Sequence, residues 1–263
     1  MNQPDPSPAV TVSDVDKVFN AGSGDEVHAL ADIDLTVADG EFVSLIGPSG
    51  CGKSTLLRLM ADLIEPTVGS IEVFAKSAAQ ARLDGDYAMA FQQAGLFDWR
   101  RVAANIELPL ELKGWSKKDR AQRSAEMLEL VKLKEFAQHY PRQLSGGMQQ
   151  RVAIARSLSF EPRLLLMDEP FGALDEMTRE HMQTELLRIY ETLGTTVVFV
   201  THSIAEAAYL SSRVVVLSAR PGRIHTIIDV DLGDRSAQIR QSPEFFAKTT
   251  EIRDALRQVE ARE

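Results

Sequence analysis

Apolar and polar residues alternate with a period of two over residues 9–19 and 30–37, which predicts two strands with Gly22-Ser23-Gly24 as the turn between them. Ala38-Asp39-Gly40 then turns the chain into the run Phe42-Val43-Ser44-Leu45-Ile46, which reads as a strand buried on both faces. A helix is expected from Lys53 to Ala61, broken by Pro66-Thr67-Val68-Gly69, and residues 70–74 and 87–91 read as further strands. From 102 to 160 the pattern is mostly helical. Ser116 with Asp119 forms a capping box for a helix running to about Val131, with Met127, Leu128 and Val131 on its apolar side. A second helix covers 146–160. Strand–helix alternation resumes at Arg163, with strands over 164–167, 195–200 and 214–217 and a helix over 176–193.

That order predicts an α/β fold: a parallel sheet flanked by helices, interrupted by a helical insertion. The expected divisions are a short mobile arm over 1–8, where three prolines fall, and a core lobe over 9–92 and 161–230. A helical subdomain takes 93–160, and a linker with a final helix takes 231–263. That helix is expected to be amphipathic, with Phe245, Phe246, Ile252, Leu256 and Val259 on one side. No internal repeat is visible.

The buried strand at 42–46 runs into Gly47-Pro48-Ser49-Gly50-Cys51-Gly52-Lys53-Ser54-Thr55 and then into a helix. Strand, glycine-rich loop, Lys-Ser and helix are what a nucleoside triphosphate site needs. Glycines let consecutive backbone N–H groups turn inward around phosphates, and the helix N-terminus adds partial positive charge. Lys53 is a point charge for the β- and γ-phosphates, and the Ser54 hydroxyl is a ligand for Mg²⁺. The chain is expected to bind a nucleoside triphosphate.

Composition narrows the setting. Of 263 residues 25% are charged and the net charge is −9, which argues against a protein that grips nucleic acid along a basic surface. The single cysteine, Cys51, lies inside the phosphate loop; no disulfide can form within the chain, and a reducing compartment is expected. The first residues lack the basic and apolar stretches of a secretory signal. The longest apolar runs are strand-length, so a membrane role has to come through a partner.

Two further stretches carry chemistry. Leu164-Leu165-Leu166-Met167-Asp168-Glu169-Pro170 has the form of a Walker B strand, delivering carboxylates at its C-terminal end. Asp168 is placed to hold Mg²⁺ and Glu169 to take a proton from the water attacking the γ-phosphate. Leu144-Ser145-Gly146-Gly147-Met148-Gln149-Gln150-Arg151 opens a helix with a serine and two glycines, a second anion cradle. One nucleotide needs one such cradle; a second makes sense if it covers the triphosphate held by another subunit.

With these elements the chain resembles, over nearly its whole length, the ATPase subunits of ATP-binding-cassette (ABC) transporters. Six family motifs occur in family order: the phosphate loop at 47–55, a Q-loop glutamine at Gln92, the signature at 144–149, Walker B at 164–168 with Glu169, the D-loop at 171–175, and the switch histidine His202. The signature has Met148 where Gln is commonest, and Ser203 follows His202 where Asp is frequent. The resemblance implies a P-loop (RecA-like) core, an N-terminal antiparallel β subdomain and an inserted helical subdomain. It implies catalytic roles for Glu169, His202 and Gln92, with Ser54, Gln92 and Asp168 toward Mg²⁺. Gln93 has the same chemistry as Gln92, which is chosen because it directly ends a strand. ATP contacts are implied for 47–55 and, across a dimer, for Ser145, Gly146, Gly147 and Gln149. Phe19 stands where the family puts a ring against adenine, which is the favoured reading; a core position is the alternative.

Closest in pattern are the nitrate, sulfonate and taurine importers, through residues 91–100, with Asp98 where that branch has proline, and through Leu217-Ser218-Ala219-Arg220-Pro221-Gly222-Arg223-Ile224. That branch also takes in pyrimidine and vitamin-like cargo. The resemblance implies a head-to-tail homodimer at the cytoplasmic face of the cell membrane. It further implies transmembrane permease subunits, an extracytoplasmic solute-binding protein acting indirectly, and no nucleic acid. Leu96, Phe97 and Trp99 suit a docking site and suit internal packing equally. An exporter or lipid-extraction ATPase would share the catalytic motifs; a soluble ABC ATPase working on nucleic acid fits the acidic chain less well.

Overall fold

The computed structural model describes residues 8–22, 24–233 and 235–261. The arm expected over 1–8 lies outside these except for Pro8, as does Ser23 of the first turn. In chain order the elements are β1 (Val10–Phe19), β2 (Val27–Val37), β3 (Phe42–Ile46), α1 (Lys53–Met60), β4 (Val68–Val73), β5 (Lys76–Ser77), α2 (Ala78–Asp84) and β6 (Tyr87–Ala90). Then come α3 (Val102–Leu112), α4 (Lys117–Leu130), α5 (Gly146–Leu158), β7 (Leu164–Asp168) and α6 (Glu176–Leu193). The chain closes with β8 (Thr196–Val200), α7 (Ile204–Leu210), β9 (Arg213–Leu217), β10 (Ile224–Asp229) and α8 (Pro243–Glu260).

The chain divides into two compact units, residues 1–87 with 196–263, and residues 88–195. The first holds a four-stranded antiparallel sheet, β2-β1-β4-β5, and the strands β10-β9-β3-β8 of a second sheet. In the latter β3 is parallel to both β8 and β9, and β10 returns antiparallel. Every residue of β3 and β8 is buried, which explains their unbroken apolar character. The one hydroxyl in β3, Ser44, is satisfied by a buried hydrogen bond to Ser211.

The second unit holds α3 to α6 with β7 beside β6. Residues 161–195 fall in the same unit as the helical segment. Met127 and Leu130 of α4, Leu158 of α5, and Ile189 and Leu193 of α6 line one cavity. Arg123 binds the Ser159 carbonyl and the Glu161 carboxylate, both at 2.8 Å.

Four local readings change. β2 starts at Val27, because irregularities in its pairing with β1 break the period of two. Helix α2 went unread although it has a Ser77 N-cap and a left-handed Gly85 at its end. On α8 the buried face is Phe245, Thr249, Ile252, Ala255 and Val259, a 3.6-residue stripe that leaves Phe246 58% exposed and Leu256 at the margin. The Ser116 box is half made: Ser116 Oγ accepts the Asp119 N–H at 3.2 Å, but the aspartate meets the serine hydroxyl rather than reaching its backbone. Asp is one methylene shorter than the glutamate of a full box.

Candidate functional site

In the first unit the chemistry gathers on one sheet edge. Leu45 of β3 pairs with Val200 of β8, so Gly47 and His202 each lie two residues beyond a paired position, at the C-terminal ends of parallel neighbours. The loop from Gly47 to Gly52 therefore leaves the sheet beside exposed His202. Gly52 caps α1 with φ 97°, and a Cβ there would meet Leu30 at 2.5 Å. Only glycine fits. Lys53 is buried and folds back over the loop, its Nζ donating to the Gly47 and Pro48 carbonyls, both at 2.9 Å, with Cys51 Sγ 3.6 Å away. Its ammonium is thus held inside the ring of backbone that the loop forms. Ser49 and Gly50 are exposed at the crown of the loop, while Ser54 and Thr55 open α1 half-buried. The first turn of α1 carries no acid, so no side chain of that turn offsets its N-terminal potential. Phe19 ends β1 37% exposed, with the Lys17 ammonium 5.0 Å from its ring centre.

The second unit brings Gln92 and Glu169 together: Gln92 Nε2 donates to Glu169 Oε2 at 3.2 Å. β7 is buried throughout and ends at buried Asp168; Glu169 follows with φ 46°. A non-glycine residue in the left-handed region costs about 1 kcal/mol or more, and such strain concentrates at functional positions. Gln93 is also exposed but sits one residue further from the strand. The signature opens α5 with Ser145 as N-cap, its Oγ accepting the Met148 N–H at 3.3 Å, and the first turn again lacks an acid. Gly147 packs against the D-loop, where a Cβ would lie 3.3 Å from the Ala173 carbonyl. Around Gly146 nothing approaches within 4 Å of a built Cβ. Neither a close neighbour nor a positive φ demands glycine there. Gln149 turns inward, its amide donating to the Pro141 and Leu144 carbonyls and bracing the turn before the signature.

Residues 30–172 match the family described as ABC transporter. The nitrate import ATP-binding protein of Synechocystis is 44% identical over 96% of this chain and 96% of its own. The aliphatic sulfonates import ATP-binding protein of Bacillus subtilis is 44% identical over 91% of each. The chain belongs to the ABC ATPase family. It groups there with ATPase subunits of the importer branch, and its activity is ATP hydrolysis. A solved dimeric ATP-binding cassette in a post-hydrolysis state, bound to ADP and phosphate, superposes with a TM-score of 0.78 at 35% identity, covering 84% of this chain and 99% of that one.

The departures from the family pattern are chemically mild. Ser203 caps α7 by accepting the Glu206 N–H, a task that aspartate performs as well. Met148 contributes its backbone N–H to the Ser145 cap. The cassette also uses residues that the motif reading missed. Buried Gln150 on α5 donates to the Phe91 carbonyl at 2.9 Å, anchoring the residue before Gln92. Arg156 donates to the Ala94 and Gly95 carbonyls, and burial pulls its guanidinium below the ordinary arginine range. Asn105, fully buried, accepts the Phe97 N–H and donates to the Phe97, Arg100 and Arg101 carbonyls. Three side chains thus hold the Q-loop from 91 to 101 on α3 and α5. Their one sequence signal is a polar residue in an apolar stripe. Asn105→Ala is expected to lower stability by about 1–3 kcal/mol, since it removes the part-buried partner of the Phe97 N–H and of the Arg100 carbonyl; a urea midpoint unchanged from wild type would refute that role.

Proposed function

We propose that this cassette powers the import of a small solute across the cell membrane, as a head-to-tail homodimer at the cytoplasmic face beneath transmembrane permease subunits. The observation that carries the reading is the second cradle: Gly146 stands open at an acid-free helix N-terminus, in a chain that already has a complete phosphate loop. Each ATP would then lie between Lys53 of one copy and Ser145, Gly146 and Gly147 of the other. Glu169 would take the proton of the attacking water, Gln92 would orient that water, and His202 would hydrogen-bond the γ-phosphate. Phe19 would stack on adenine, and Gln149 would support the signature's contact. Ser54, Gln92 and Asp168 are hard oxygen donors, the type Mg²⁺ takes alongside phosphates and water. Mg²⁺, when bound, neutralises charge on the transferring phosphate.

Among the described residues no helix is long and apolar enough to cross a membrane, so passage of the cargo would fall to partners. Trp99 is 75% exposed with Phe97 tilted against it at 5.0 Å, on the segment Asn105 holds; aromatic surface on a braced loop suits permease docking. The names of the relatives support nitrate-, sulfonate- or taurine-type cargo; pyrimidine and vitamin-like solutes would belong to the wider range of that branch, and a solute-binding protein would deliver the cargo from outside. The test is co-purification from detergent-solubilised membranes of cells expressing the tagged cassette with its neighbouring genes. An integral membrane protein should accompany the wild-type chain. Trp99→Ala should lose it while the isolated chain keeps ATPase within about twofold, since an aromatic exposed in the isolated chain would be buried only by the partner. Recovery of no membrane protein with the wild-type chain would contradict the transport reading.

A further inference from the structure

We infer that Glu206 and Thr201 are positioning residues for His202, acting as an extended capping box that fixes the loop carrying the imidazole. The inference rests on the reading of His202 as the γ-phosphate contact. Ser203 is the N-cap of α7 and Glu206 stands three residues on, the spacing of a capping box. In the ordinary box the glutamate reaches back to the N–H of the capping residue. Here Thr201 is interposed. Its hydroxyl donates to Glu206 Oε2 at 2.5 Å, and Thr201 Oγ1 itself accepts the Ser203 N–H at 3.0 Å. Ser203 Oγ accepts the Glu206 N–H at 3.3 Å, which closes the circuit.

The consequence is geometric. An ordinary box would fix only Ser203; the interposed hydroxyl carries the constraint across to Thr201, on the other side of His202. Thr201 is 1% exposed, is the first residue after β8, and donates its N–H to Leu45 of β3 at 3.3 Å. Glu206 is 8% exposed. A helix start needs its Ser203 cap but not a buried carboxylate, which is costly to desolvate. That cost has a reason if the circuit holds both flanks of His202. A rigid support of this kind matters when a donor must meet a transition state, where a 1 Å misplacement costs up to about a hundredfold in rate.

Steady-state ATPase of purified variants, with thermal melts alongside, tests this. Glu206→Ala and Thr201→Val should each lower kcat about tenfold while KM for ATP stays within about twofold. Glu206→Gln and Thr201→Ser keep the acceptor and the hydroxyl, and should recover to within about threefold of wild type. The double variant Thr201→Val/Glu206→Ala should be no slower than either single one, because both break one circuit. If Glu206→Ala does not fold, the contrast between Thr201→Val and Thr201→Ser decides alone. A lower melting temperature with unchanged kcat would reduce the circuit to ordinary helix capping and overturn the inference. So would a Glu206→Gln variant as slow as Glu206→Ala, since charge rather than geometry would then matter. His202→Ala is the reference: if it is slow while Glu206→Ala and Thr201→Val are normal, the inference alone fails. If His202→Ala keeps wild-type kcat, the reading of the histidine falls and takes the inference with it.

Discussion

Glu169→Gln is expected to bind ATP with wild-type affinity and to turn it over roughly a hundredfold to ten-thousandfold more slowly, the contribution of a general base. The substitution isolates chemistry from structure. Glutamine keeps an acceptor oxygen for the Gln92 amide, which now sits 3.2 Å from the carboxylate. It has the same backbone requirements at φ 46°, so the strained turn after β7 is unchanged. What goes is the basic oxygen that takes the proton. The variant should accumulate as an ATP-bound dimer, seen as a doubled mass by light scattering with ATP and Mg²⁺. Wild-type turnover in Glu169→Gln would remove the residue from the mechanism.

How much could be read from the chain depends on the kind of interaction. The phosphate loop was legible because its chemistry is local: Gly52 must adopt a left-handed conformation, and Lys53 reaches carbonyls five and six residues away. The buried strands β3, β7 and β8 were legible for the same reason, since full burial leaves an unbroken apolar run. The brace of the Q-loop was not. Gln150 answers a carbonyl 59 residues away, and Arg156 answers others 61 and 62 away; a backbone carbonyl has no sequence identity. Thr201 and Glu206 were within reach, because Ser-x-x-Glu is a helix-start pattern, but the hydroxyl inserted into it is visible only in three dimensions. The exposed Phe246 on α8 marks the limit of counting apolar residues without fixing the stripe they share.

The second large effect concerns the open cradle. Gly146→Asp is expected to leave ATP binding by the isolated chain intact, because the phosphate loop and Lys53 are untouched and there is room for a side chain at this position. ATPase, in contrast, should collapse. A carboxylate at the helix N-terminus would face the neighbour's γ-phosphate, and two like charges about 4 Å apart at an effective dielectric near 20 repel by about 4 kcal/mol. That is roughly a thousandfold in rate if the closed dimer is the hydrolysing state. Equal loss of ATP binding would mean that the glycines serve the subunit's own nucleotide or its fold.

Mixing two inactive variants tests the composite site most directly. Gly146→Asp keeps its phosphate loop, and Lys53→Ala keeps its signature; the latter should bind ATP weakly, having lost the ammonium that the loop encloses. In a head-to-tail heterodimer one site carries both defects, while the other joins an intact loop to an intact signature. Titrating Gly146→Asp with excess Lys53→Ala should therefore restore part of the wild-type ATPase, saturating as heterodimer forms, with one firing site per pair. An activity no greater than the sum of the two variants alone, with heterodimer formation shown independently, would contradict the account.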